Sequence, residues 1–297
     1  MSKIFDFKSN NVQEMELDVL KQTYHEKNFD GKPSFNGIYH YELIERIAAI
    51  IAKNNINFNI ESIFAANNKK AGRDGVSVSK ELEAQYGDNS IQAHVLRRVF
   101  TTIRINDLED DETNTGLAVA FHQDGIQIAI GPNVKICHNQ CILAADRMIS
   151  TYGGDGKIKD LDKVFQIIDD WMQNFTEQRS HDQKVISRMK AIEVSYNDTM
   201  SLIGRLNTIR VVKDSSEKSL KKLEANVGRN YPLNQTQIST FVENYLLECI
   251  KRDSTNMSLW DIYNISTELY KPGQTDFPNI IGQNIAWSEF LVKEYNL

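Results

Sequence analysis

The sequence predicts an α+β fold, with an antiparallel sheet in the N-terminal half packed with helices and a mainly helical C-terminal half. Three observations predict it. Asp124-Gly125, a strong two-residue hairpin signal, sits between two runs that alternate apolar and small or polar residues. From Ile158 onward, apolar residues recur at alternating spacings of three and four. Further on, Ser258-Leu259-Trp260-Asp261 has the pattern of a capping box opening a helix.

Residues 1–40 are polar and Asn/Lys-rich and read as an irregular arm. From Tyr41 the chain reads as an amphipathic helix, with Leu43, Ile47, Ile50 and Ile51 on one face. A loop rich in Asn, Lys and Gly covers Asn67 to Gly75. Val95–Ile105, rich in Val, Thr, Phe and Ile, reads as a strand. In the hairpin that follows, a turn at Asp124-Gly125 pairs Phe121 with Ile128 and Val119 with Ile130. Leu117, Val119, Phe121, Ile126, Ile128 and Ile130 then share one apolar face. Ala118, Ala120, His122, Gln127 and Ala129 take the other face, small enough for close approach of a helix or a ligand.

Val134–Cys137 reads as a further short strand, and Asn139 as the cap of a helix running to Tyr152 and stopped by Gly153 and Gly154. Ile158, Leu161, Phe165, Ile168, Met172 and Phe175 form a heptad-like seam too short for a free coiled coil, so a packed helix is expected. Helices are expected over 234–252, from Ser258 to about Lys271-Pro272-Gly273, and over 279–295. Trp260, Tyr263 and Tyr270 fall in the second of these and are expected in the core. The organisation expected is an arm (1–40), a sheet domain (41–156) and a helical region (157–297) packed on it as one globular unit.

Composition sets the setting. The chain has 297 residues, 41% hydrophobic and 25% charged, as a globular protein does. It shows neither a signal-peptide core nor a run of roughly 18 apolar residues, so a cytoplasmic protein with no membrane partner is expected. Three cysteines make no disulfide framework in a chain this size, and reduced thiols are the expectation.

Phosphate-binding, dinucleotide-binding, serine-hydrolase and zinc-protease motifs are absent, and Gly153-Gly154-Asp155-Gly156 follows a helix and so reads as a turn. A catalytic role is disfavoured and no cofactor is expected. Cys137-His138-Asn139-Gln140-Cys141 has the wrong spacing for a zinc knuckle and reads as two small buried thiols, without a metal. The run Asp107, Glu109, Asp110, Asp111 and Glu112 would suit Mg²⁺ for a nuclease, but it also reads as a solvated turn between strands.

Charge is the more informative signal. Lys184, Arg188, Lys190, Arg205, Arg210, Lys213, Lys218, Lys221, Lys222 and Arg229 stand against five acids in the same window. That stretch is +5 in a chain of net −6, which leaves −11 elsewhere. Arg97, Arg98 and Arg104 add positive charge on the first clear strand. Together they are the candidate nucleic-acid contacts, because cations that displace condensed counterions supply sequence-independent affinity for phosphates. Aromatic residues for base stacking are few in the window, namely Tyr196 and Tyr231.

The string Gly116-Leu117-Ala118-Val119-Ala120-Phe121, with Gly131-x-Asn133-Val134-x-x-Cys137-x-Asn139-x-Cys141 after it, resembles the middle of two related families of unknown function. One is usually labelled phage/plasmid-like protein and the other is common in Bacteroidetes. Ile203-Gly204-Arg205, Leu259-Trp260-x-x-Tyr263-Asn264 and Asn284 are similar to the second family's C-terminal half; Val211–Asn230 departs from it. The resemblance implies a phage, prophage or conjugative-element gene. It implies no activity, and a structural role for Cys137, Asn139, Cys141, Trp260, Tyr263 and Asn264.

The functional expectation is therefore an intracellular mobile-element protein that binds nucleic acid, with single strands in recombination or replication as its substrate class. The alternatives are a phage structural or anti-defence protein acting on a protein partner or by self-assembly, and a metal-dependent nuclease.

Overall fold

The computed structural model describes residues 12–23, 33, 37–67, 96–106, 113–122, 125–134, 139–140, 148–151, 160–214, 232–270 and 277–297. Its strands are β1 (Val12–Glu14), β2 (Phe58–Asn67), β3 (Leu96–Ile105), β4 (Thr113–His122), β5 (Gly125–Val134), β6 (Asn139–Gln140), β7 (Met148–Ser150), β8 (Glu193–Val194) and β9 (Met257–Ser258). Its helices are α1 (Leu17–Lys21), α2 (His40–Lys53), α3 (Leu161–Gln173), α4 (Phe175–Ala191), α5 (Tyr196–Asp214), α6 (Gln235–Arg252), α7 (Leu259–Thr267) and α8 (Phe277–Tyr295). The described residues divide into two compact units: one takes those up to Ile130, Met148–Phe175 and the start of α8, the other takes those of 131–147, 176–275 and 279–297.

The first unit is built on the sheet. Strand order is β1-β2-β3-β4-β5-β6, with β7 also on β5, and the pairings β1–β2, β2–β3, β3–β4, β5–β6 and β5–β7 are antiparallel. The fold class is α+β, as the sequence predicts. Opposite Val99, Thr101 and Ile103 of β3 stand Phe121, Val119 and Leu117 of β4. Leu117, Val119, Phe121, Ile126, Ile128 and Ile130 are all buried in one apolar cluster with Leu43, Ile44, Ile47 and Ile51 of α2. The face expected to be apolar is the one that joins this cluster, and each such side chain contributes about 1.5–3 kcal/mol on leaving water.

β4 ends at His122 and β5 begins at Gly125, whose φ of 153° lies in a region that favours glycine. Asp124 lies outside the described residues. The opposite face of the hairpin is buried too: Ala118, Ala120, His122, Gln127 and Ala129 are at most 7% exposed.

Two helices cover the apolar face. The backbone N–H of Tyr39 donates to Glu42 Oε2 at 3.3 Å at the start of α2, which buries Leu43, Ile47 and Ile51 of the expected stripe together with Ile44, while Ile50 is partly buried against the same cluster. α3 starts on Asp160, whose carboxylate accepts from the Asp162 N–H, and buries Val164, Ile168, Trp171 and Met172. Lys53 and Asn54 both bond Asp169, at 2.9 and 2.7 Å, and the Arg46 guanidinium sits 5.3 Å over the Phe165 ring. The heptad-like seam therefore packs within this unit, as expected of a packed helix; Ile158 lies outside the described residues. Asn174, donating to Asp170 O at 2.9 Å, closes α3.

Two expectations fail. Asn139 opens no helix: Asn139 and Gln140 pair with Val134 and Asn133, and Met148–Ser150 pair with Ala129–Gln127. Ladder bonds to β5, with Ile149 buried among the core side chains, outweigh a local capping preference. Of Val134–Cys137, where a separate short strand is expected, Val134 is the last residue of β5 and the rest lies outside the described residues. Nor is the N-terminal arm irregular throughout. Val12–Glu14 adds an edge strand to β2, and α1 buries Leu20 completely.

The second unit is helical. α6 starts at a reciprocal capping box in which Asn234 accepts from the Gln237 N–H at 3.0 Å and Gln237 from the Asn234 N–H at 2.8 Å. Asp253, at φ 51°, ends it. The capping box expected at Ser258 is present, with Asp261 N donating to Ser258 Oγ at 3.1 Å. Trp260, Tyr263 and Tyr270 are buried as expected. The Trp260 and Tyr263 rings stack at 5.5 Å, and Phe241 meets Trp287 edge-on at 6.0 Å. Tyr263 donates to Asn284 Oδ1 at 2.9 Å and Tyr270 to Pro232 O at 2.6 Å. Among the described residues no helix is long and apolar enough to cross a membrane.

Candidate nucleic-acid interface

The candidate cations divide between the units. On β3, Val99, Ile103 and Ile105 point into the apolar cluster, so Arg98, Phe100, Thr102 and Arg104 take the other face. The β2–β3 register steps over Arg97, between Ala66↔Arg98 and Asn67↔Leu96. It steps over Glu61 on the partner strand, between Ile60↔Ile103 and Ser62↔Thr102. Glu61 lies 3.8 Å from Arg104, whose Nε also donates to Asn106 Oδ1 at 3.1 Å. Arg98 and Arg104 are both half-buried. Arg104 is thus engaged within the sheet.

The helical unit holds the exposed cations. Lys184, Arg188 and Lys190 are exposed on the last two turns of α4, a stretch free of acids from Gln183 to Ala191. Arg205 is exposed on α5 beside Ser201, Gly204 and Thr208, also exposed. The fold brings Arg188 and Arg205 together at the C-terminal end of α8: Arg188 donates to Asn296 O at 2.7 Å and Arg205 pairs with Glu294. Cations there complement the partial negative charge of the helix end. Tyr295 completes the cluster, its phenol pKa pushed up by burial and then by the charge of Asp198. The Asp198 carboxyl is held below its usual range by hydrogen bonds from Ser195 at the start of α5.

Arg210 and Lys213 lie in α5. Lys218, Lys221, Lys222 and Arg229 lie outside the described residues, as do Tyr231, the acidic run 107–112, Cys137 and Cys141. Among the described residues no group of three or more His, Cys, Asp or Glu is placed to hold a metal ion. Cys249 is a buried free thiol beside Tyr245, whose phenol burial pushes up to about 12. Of the aromatics in the window, Tyr196 is exposed, 6.4 Å from the Tyr245 ring.

The anchoring of Arg188 and Arg205 has no signal in the sequence, since their partners lie about a hundred residues away. A second feature did have one. The core positions of α6 are Ile238, Phe241, Tyr245 and Cys249, at helical spacing. Leu246, Leu247 and Ile250 fall off that stripe and lie 42%, 64% and 77% exposed.

No family model, no curated protein and no solved structure matches the chain. The site rests on its own geometry.

Proposed function

We propose that the chain is a nucleic-acid-binding protein of a phage or mobile element whose phosphate contacts come from the helical unit. The observation that supports this most is the acid-free end of α4, which exposes Lys184, Arg188 and Lys190 ahead of the remaining cations of the +5 window. Arg104 contributes less than its position in the sequence suggests, because Glu61 and Asn106 already engage it. Arg188 and Arg205 also anchor the α8 end, and the exposed Lys184 and Lys190 with the window's other lysines are read as further phosphate contacts.

The test is fluorescence anisotropy with single-stranded DNA over a salt series. Each phosphate contact on a single strand steepens the log–log salt slope by roughly 0.7. Replacing Lys221 and Lys222 together by Gln is expected to weaken binding alike for all sequences and to flatten that slope by about 1 to 1.5. Absence of binding at low salt overturns the reading.

One observation favours a second reading, a protein that acts by protein–protein contact: the outward stripe of Leu246, Leu247 and Ile250 on α6.

A further inference from the structure

Among the described residues the large apolar side chains left exposed are Tyr196, Leu246, Leu247 and Ile250. Three of the four are on α6. Isolated exposed leucines are ordinary on protein surfaces. These three are not isolated: Leu246 and Ile250 are one turn apart, Leu247 lies between them in height, and all three turn away from the buried line of Ile238, Phe241, Tyr245 and Cys249. An α6 that served only its own unit would carry polar groups here, as it does at the exposed Gln235, Thr236 and Ser239 of its first turn and a half.

The charges flanking the stripe indicate what covers it. Glu243 lies one turn before Leu247 and Lys251 one turn after it, and both are exposed. A two-fold axis through Leu247 runs a second α6 antiparallel to the first. It sets Glu243 of each copy opposite Lys251 of the other, so two opposite-charge pairs form for one apolar contact. A parallel pairing in register would instead bring Glu243 against Glu243 and Lys251 against Lys251. Self-complementarity about a point is the property a closed two-fold interface requires. Lys251 is available for it: its contact with Glu248 is a long 3.4 Å, and Glu248 is already bonded by Arg252 at 2.7 Å.

We infer that the occupant of this stripe is a second copy of the chain, docked through antiparallel α6 helices about Leu247. The inference is independent of nucleic-acid binding. One helix pair buries well under the ~1,600 Å² of a standard interface, so a weak, reversible association is expected, to be sought at about 1–100 µM chain.

Sedimentation velocity of the full chain across that range tests it, with circular dichroism to follow the fold. Wild type is expected to pass from monomer to dimer. Leu247→Glu puts like charges on the axis and is expected to weaken association on the order of a hundredfold. Glu243→Lys and Lys251→Glu each turn two attractive pairs repulsive and are expected to weaken it about tenfold. The double variant E243K/K251E restores opposite charges and is expected to regain most of the affinity. All these positions are exposed, so the fold is expected to stand in each variant. A chain that stays monomeric, a dimer that persists in Leu247→Glu, or a double variant no better than the singles overturns the inference. Retained salt-sensitive DNA binding in a monomeric Leu247→Glu separates this result from the nucleic-acid reading.

Discussion

The two units of this protein use their surfaces in opposite ways. In the sheet unit, all ten residues of β4 are buried, on both faces of the strand. In the helical unit, α6 buries one line of side chains and turns Leu247 and Ile250 outward, while the end of α4 exposes a run of cations without acids. β4 offers solvent nothing, whereas the exposed apolar groups of α6 and the exposed cations of α4 are on helices. Exposed faces on a rigid helix can hold charge and apolar groups without disturbing main-chain hydrogen bonds.

The contrast can be tested by substitution. The largest effect is expected in the sheet. Ile103→Ala, at a site of zero exposure opposite Leu117, is expected to cost about 2–5 kcal/mol in equilibrium denaturation. A loss below about 1 kcal/mol would mean that the sheet does not carry the stability of its unit.

Next comes the polar core of the helical unit. Tyr263→Phe removes the donor at 2.9 Å from the buried Asn284 Oδ1 and is expected to cost about 1–3 kcal/mol, read in the same way. Ser258→Ala, which takes away the cap of α7, is expected to cost about 1 kcal/mol, with the loss of helical ellipticity confined to one short helix.

A pH series tests the same corner. Burial raises the Asp261 pKa, but hydrogen bonds from Arg252 and Ser258 outweigh it and leave the carboxyl below its usual range. Glu248 is likewise lowered, first by its hydrogen bond from Arg252. Depressed carboxyls stabilise the fold above their unfolded pKa, and that stability is lost as pH falls through the folded values. Stability is therefore expected to decline below about pH 4.5, and Arg252→Gln to make the decline shallower. An unchanged pH profile would show that the Arg252 pairs contribute nothing.

The smallest effect is expected at Lys184→Gln, within about 0.5 kcal/mol of wild type, because the side chain is exposed on α4. If that substitution unfolds the protein, the basic face is structural and the contrast between the units fails.

Much of this was legible in the residues because it is local. Alternation around Asp124-Gly125 assigned Leu117 to Ile130 to the right face, since a strand's two-residue period leaves only two choices. Side-chain caps act within three residues, so Ser258 with Asp261 announced α7 before any packing was known. What distant partners decide was not legible. Val12–Glu14 is a strand because the edge of β2 offers it main-chain bonds about fifty residues away. Asn139 has the chemistry of a helix cap yet lies in a ladder with Val134.

By itself the sequence determined the fold class, the apolar face of the hairpin, the starts of the C-terminal helices and the excess of positive charge between Lys184 and Arg229. Each follows from periodicity, capping or charge, which operate over a few residues. Only the folded chain decided which of those charges are already occupied and which apolar groups stay outside. Arg104 meets Glu61 across a strand bulge, Arg188 and Arg205 meet the end of α8, and Leu247 and Ile250 miss the core by the angle at which α6 packs. Those outcomes depend on where remote segments come to rest, and composition and spacing carry no record of that.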